Sequence, residues 1–122
     1  MDPERFGGYV EDALENLPDV FRERMDNVGV VVEDWPDPHT MRMAGVRSPY
    51  QLLGFYHGIP QTGRSSSYGL VTPDRISIYQ YPIERQCSTG AEVRKLVERV
   101  LRHEIAHHFG ISDDRLKEIG AY

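Results

Sequence analysis

The chain has 122 residues, 39% of them hydrophobic and 10% aromatic, which is enough for one core, so residues 1–122 are expected to form a single domain. Nineteen acidic against fourteen basic residues give a net charge of −5, and the basic ones are scattered, so neither nucleic acid nor an anionic membrane is an expected partner. The single cysteine, Cys87, excludes an intrachain disulfide and a multi-cysteine zinc site and is expected to be small filler.

The N-terminal residues Met1-Asp2-Pro3-Glu4-Arg5 lack the basic start and apolar stretch of a signal peptide, and no apolar run approaches the ~18 residues of a membrane span. A cytoplasmic location and a monomeric state are the default expectations. Phe6, Val10, Ala13, Leu14 and Leu17 fall at helical spacing and predict an amphipathic helix over Pro3–Asn16, interrupted at Pro18 and restarted as a short turn through about Met25. Val28–Val32 is a β-branched run expected to form a strand buried on both faces. Asp34–Ser48, with Pro36, Pro38 and Gly45, reads as an irregular connection. Tyr50–Gly58 is a second strand candidate and Arg75–Tyr81 a third. In the third, Ile76 and Ile78, with Gln80 next in the series, alternate with Arg75, Ser77, Tyr79 and Tyr81, which predicts one buried side and one exposed or cleft-facing side. Between them, the small polar residues from Ile59 to Gly69 suggest a solvated loop or a flap. Thr89-Gly90-Ala91-Glu92 is a capping-box pattern opening a helix over Ala91–Phe109, and Ser112 is placed to cap a short final helix through Ile119.

The long helix carries His103-Glu104-Ile105-Ala106-His107-His108-Phe109-Gly110-Ile111-Ser112-Asp113, an H-E-x-x-H followed by x-x-G-x-x-D. Residues four apart on a helix lie about 5–6 Å apart at Cβ, so His103 and His107 can converge on one ion. Glu104, beside the first histidine, can reach a water on that ion without binding the metal itself, which is the geometry of a general base. Gly110 can end the helix with φ > 0 and turn the chain so that Asp113 returns as the third ligand, in preference to Asp114. A bare H-E-x-x-H arises by chance in roughly one chain of this length in a few hundred, and the added Gly and Asp make accident much rarer. Val93, Val97 and Val100 form a row that should face the core, and Glu104 and His107 continue it. Polar groups on such a row need a metal and hydrogen bonds to offset burial.

These elements, with the site block near the C-terminus, make the chain resemble the small bacterial zincin-like metallopeptidases. The resemblance extends through the Asn27-Val28 start of the valine strand, the block Leu53-Gly54-Phe55-Tyr56-His57-Gly58-Ile59-Pro60, the lead Pro73-Asp74-Arg75-Ile76 into the third strand, and the helix end His107-His108-Phe109-Gly110. It implies a compact zincin-like α+β domain, a three- to four-stranded sheet packed against helices, with His103, His107 and Asp113 binding Zn2+ and Glu104 as catalytic acid/base. The spacing is also similar to that of the metzincins, but no methionine follows Gly110 to form their methionine turn.

Two imidazoles, one carboxylate and a water give zinc a tetrahedral site with an exchangeable position, the arrangement of a catalytic ion. The expected activity is hydrolysis of a peptide or protein substrate lying along an exposed strand edge, with the second or third strand as candidate. Tyr79, Tyr81, His57 and Tyr56 are the candidate oxyanion donors, and His108 is placed near the ion or at the surface. The alternative is a metal-stabilised interaction module with little or no hydrolysis, and a site acting on another amide or ester would share the same residues.

Overall fold

The computed structural model describes residues 1–58 and 74–118, without the side chains of Asp113 and Leu116. In chain order these form helices α1 (Pro3–Glu15) and α2 (Asp19–Arg22), the latter running into a 3₁₀ turn at Glu23–Met25, then strand β1 (Val28–Glu33) and helix α3 (Pro38–Ala44). A second 3₁₀ turn at Pro49–Gln51 precedes β2 (Gly54–His57), followed by β3 (Asp74–Tyr79), α4 (Gln80–Arg85), α5 (Gly90–His108) and α6 (Asp113–Glu118). The stretch 59–69, expected as a loop or flap, and the end of the last helix at Ile119 lie outside the described residues.

Helix α1 starts where Asp2 accepts the Arg5 N–H at 2.8 Å and Pro3 occupies the first turn, where a missing N–H costs nothing. It buries Phe6, Val10 and Ala13 against α5, as its spacing predicts. Leu17 and Phe21, on either side of Pro18, extend that core beyond the end of the helix.

The described strands form one mixed sheet in the order β1-β3-β2. Strand β1 runs parallel to β3, with Val30 opposite Ile76 and Val32 opposite Ile78. Strand β2 runs antiparallel to β3, with Gly54 opposite Ile78 and Tyr56 opposite Ile76. The α+β class is therefore as expected, a small sheet packed against helices with the long helix near the C-terminal end.

Four local expectations are corrected. Strand β1 is not buried on both faces, since Val31 and Val32 are 39% and 38% exposed. It sits at an edge of the sheet, and only Val28 and Val30 pack against the core. Strand β3 is the central one, and Ser77 and Tyr79 are as buried as Ile76 and Ile78. Its register also ends earlier than expected, at Tyr79, because Gln80 and Tyr81 begin α4. The connection after β1 contains α3, whose start is set by Asp37: its carboxylate accepts both the Thr40 N–H at 2.8 Å and the Thr40 hydroxyl at 3.0 Å. The cap plus Pro38 at the first helical position was a legible start signal, masked by the proline count of the segment.

Candidate metal centre and active-site groove

Helix α5 begins at Thr89, whose Oγ1 accepts the Glu92 N–H at 3.2 Å, while Glu92 Oε2 accepts the Ser88 N–H at 3.3 Å. The expected reciprocal cap is thus made one residue further out. Val93, Val97, Val100, Leu101, Ile105 and Ala106 are its buried residues. At its far end Gly110 adopts φ +70°. The Gly110 N–H then reaches the His107 carbonyl at 3.3 Å and the Ile111 N–H reaches the Ala106 carbonyl at 2.8 Å. This pair of bonds is a Schellman turn, which satisfies the last carbonyls and reverses the chain. Ser112 Oγ accepts the Arg115 N–H at 3.1 Å and caps α6, so Asp113 opens that helix.

His103 and Glu104 are half-buried, whereas His107 is exposed. The buried row of valines therefore does not continue through His107. It stops at Glu104, where the core gives way to a groove between α5 and β2. Gly54 permits this approach: a Cβ there would lie 2.6 Å from Val100 Cγ1 and 3.0 Å from the Ser77 carbonyl oxygen, closer than real side chains come.

The hydrogen-bond phase of β2 fixes what its outer edge offers. The Tyr79 N–H donates to the Leu53 carbonyl at 3.0 Å, and Phe55 and His57 lie opposite Ser77 and Arg75. By alternation, the backbone groups of Gly54 and Tyr56 point away from β3. The Tyr56 N–H donates to Glu104 Oε1 at 3.0 Å, so the carboxylate of the H-E-x-x-H motif is oriented by the sheet edge. Burial pushes the Glu104 carboxyl above the usual carboxylate range, against the Tyr56 N–H and nearby His107, which favour the charged form.

Beside Glu104 the Tyr56 side chain forms a second polar cluster. Its hydroxyl donates to Asp74 Oδ2 at 2.9 Å, and its ring stacks on His108 with centroids 3.8 Å apart and planes at 12°. His108 Nε2 lies 3.7 Å from the same Asp74 oxygen. His108 is therefore a half-buried joint between the end of α5 and the sheet, not a surface residue. Nothing in a single sequence connects Asp74 to His108. The glycine within the second strand, Gly54, was by contrast a signal of close backbone approach.

Two cavities of about 400 and 360 Å³ flank Glu104 and share Leu52 and Gly54 with it. His103 lines the first; Tyr56, His107 and His108 line the second. Together they make a groove along the edge of β2 that faces away from β3. Of the four candidate oxyanion donors, only Tyr56 borders this groove. His57 alternates with it and points to the opposite face of the sheet; its buried Nε2 has no hydrogen-bond partner among the described residues, and burial lowers the imidazole below its ordinary value. Tyr79 is on that same far face and buried to 1% exposure, and Tyr81 stacks on Trp35 with centroids 5.5 Å apart.

Among the described residues, no three His, Cys, Asp or Glu side chains come together as a metal-binding group. The described donors are the two imidazoles one turn apart, with Glu104 turned toward the strand. The Asp113 side chain lies outside the described residues, and the structure places only its backbone, just after the Schellman turn. Among the described residues no helix is long and apolar enough to cross a membrane.

A mixed sheet over a C-terminal helix that bears two histidines and a glutamate at this spacing defines a zincin-like architecture. The chain belongs to the zincin-like metallopeptidase family: the family profile of that description matches residues 25–121. No curated protein matches the chain.

Proposed function

We propose that this protein is a zinc-dependent peptidase in which His103, His107 and Asp113 hold the metal and Glu104 is the acid/base. The main support is the Glu104 carboxylate, half-buried at the midpoint of the groove and aligned by the Tyr56 N–H. The donor set suits zinc: two imidazole nitrogens from one helical turn, and a carboxylate residue that opens α6 directly after a chain reversal. Bound zinc supplies a Lewis acid and lowers the pKa of water toward ~7.

This chain's own residues do the rest. Glu104, with its pKa raised by burial, is suited to take a proton from the attacking water and return it to the leaving amine. An extended substrate pairs with the outward backbone groups of β2 other than the Tyr56 N–H, which Glu104 takes. Strand β3 is no candidate for this, because β1 and β2 occupy both its sides. Tyr56, anchored by Asp74 and His108, lies where it fixes both Glu104 and the strand edge. A peptide or protein is thus the proposed partner, with a monomeric, cytoplasmic protein as the working picture.

The test is zinc analysis together with digestion of a mixed peptide library at neutral pH. One zinc per chain and cleavage by the wild type are expected. Glu104→Gln should retain the metal and lower turnover by roughly 10²–10⁴-fold. Asp113→Ala should weaken zinc binding by orders of magnitude, and Asp114→Ala by about 10-fold at most. Loss of zinc in Glu104→Gln would make that residue a ligand. A chain that binds zinc and cleaves nothing would be the metal-stabilised interaction module.

A further inference from the structure

We infer that Arg99 is a specificity residue that recognises a carboxylate on the C-terminal side of the scissile bond; this rests on the peptidase reading above. Arg99 lies one turn before His103 on α5 and lines the cavity on the His103 side of Glu104, with Gln51, Gln86 and Leu96 among its other walls. Among the described residues lining the two cavities, it is the one Lys or Arg, and Glu104 is the one carboxylate. Arg99 has no hydrogen bond or ion pair among the described residues, whereas Arg94 on the same helix is 3.8 Å from Glu98. A guanidinium that faces a groove without an internal partner is available for a planar anion, which it can bind through two parallel N–H groups.

The direction of the substrate follows from β2. Strand β2 runs from the Arg99 end of the groove toward the His107 end, since Gly54 lines both cavities while Tyr56 lines only the second. A substrate paired antiparallel, the more stable ladder per residue, runs the other way. Its residues after the scissile bond therefore enter the Arg99 cavity. Four residues of helix rise about 6 Å, and a paired strand advances about 3.4 Å per residue. Arg99 thus meets the first or second residue beyond the cleavage point. The carboxylate there is either the substrate's own C-terminus, if the chain ends at that point, or an acidic side chain.

Three probes separate these sources: mercaptoacetyl-Ala-Ala as the free acid, the same compound as its amide, and mercaptoacetyl-Ala-Glu amide. The thiol engages zinc and the dipeptide occupies the C-terminal side, so binding to the zinc-loaded full chain is read without turnover. One or both carboxylate probes should bind about tenfold tighter than the neutral amide, with the advantage shrinking at high salt. Arg99→Gln should abolish that advantage and leave the neutral amide unchanged, and Arg99→Lys should restore part of it. Preference for the free acid alone would assign the substrate's C-terminus, and preference for the Glu amide alone an acidic side chain. Neutral-probe binding with no carboxylate preference, or a preference that survives Arg99→Gln, would overturn the inference and leave the zinc site standing. Failure of all three probes to bind the zinc-loaded chain would overturn both.

Discussion

The two halves of α5 have the same helical geometry and opposite duties. From Val93 to Leu101 the helix buries apolar side chains in a core shared with α1 and the sheet. From His103 onward the side chains facing β2 are polar, and the core is continued only by Ile105 and Ala106 on the neighbouring face. The change occurs where Gly54 lets β2 touch Val100 and the strand edge then leaves a groove beside the helix. One helix therefore carries both a core face and the residues of the H-E-x-x-H motif, and the boundary between them is set by the shape of its neighbour.

The sharpest way to test that division is to damage each half separately. Leu101→Ala removes a fully buried side chain from the apolar half and should cost about 2–5 kcal/mol of stability. Zinc affinity of the folded fraction should stay near wild type, measured by denaturant unfolding alongside zinc titration. A large loss of zinc affinity in the folded protein would show that the halves are not separable.

Gly54→Ala attacks the junction. The new methyl meets Val100 and the Ser77 carbonyl, and the strain should cost about 1–3 kcal/mol. Because the bond from Tyr56 to Glu104 spans the same junction, turnover should fall more than stability alone explains. A stable, fully active Gly54→Ala variant would mean that β2 can move off the helix without disturbing Glu104.

A smaller effect, of opposite sign, is expected from the polar half. The Glu104 pKa is raised in the folded metal-free chain above the ordinary value of 4.5, first by burial. The folded state then holds a proton that the unfolded state has released, so this contribution to stability is complete below about pH 4.5 and is lost as pH rises through the folded pKa. Glu104→Gln should consequently be more stable than the wild type at neutral pH without metal, and the gap should close on acidification. Thermal midpoints of both proteins from pH 4 to 8 would show it, and a constant gap would assign the effect to something other than titration.

The motif residues were legible because His103, Glu104 and His107 are local: four residues of helix fix their relation whatever surrounds them. The turn at Gly110 and the caps at Thr89 and Ser112 were legible for the same reason. Burial was not. The periodicity that carried the row through Val100 to His107 has no means of showing that the neighbouring element ends, and the valines of β1 read as doubly buried because their sequence does not say that the strand is an edge. Helix α3 was hidden for a different reason, since Pro36 and Pro38 weigh against a helix until Asp37 is recognised as its cap.

The sequence by itself determined the helices of the core, the presence of the H-E-x-x-H motif and the turn that follows it, all set by interactions within a few residues. Only the tertiary structure decided which strand lies at the edge of the described sheet, that the Tyr56 amide holds Glu104, that Asp74 joins Tyr56 beside His108, and that Gln51 and Gly54 wall the groove beside Arg99 and His103. These pairings span long sequence separations, and they depend on strand order and on which element packs against Gly54, neither of which a local pattern encodes.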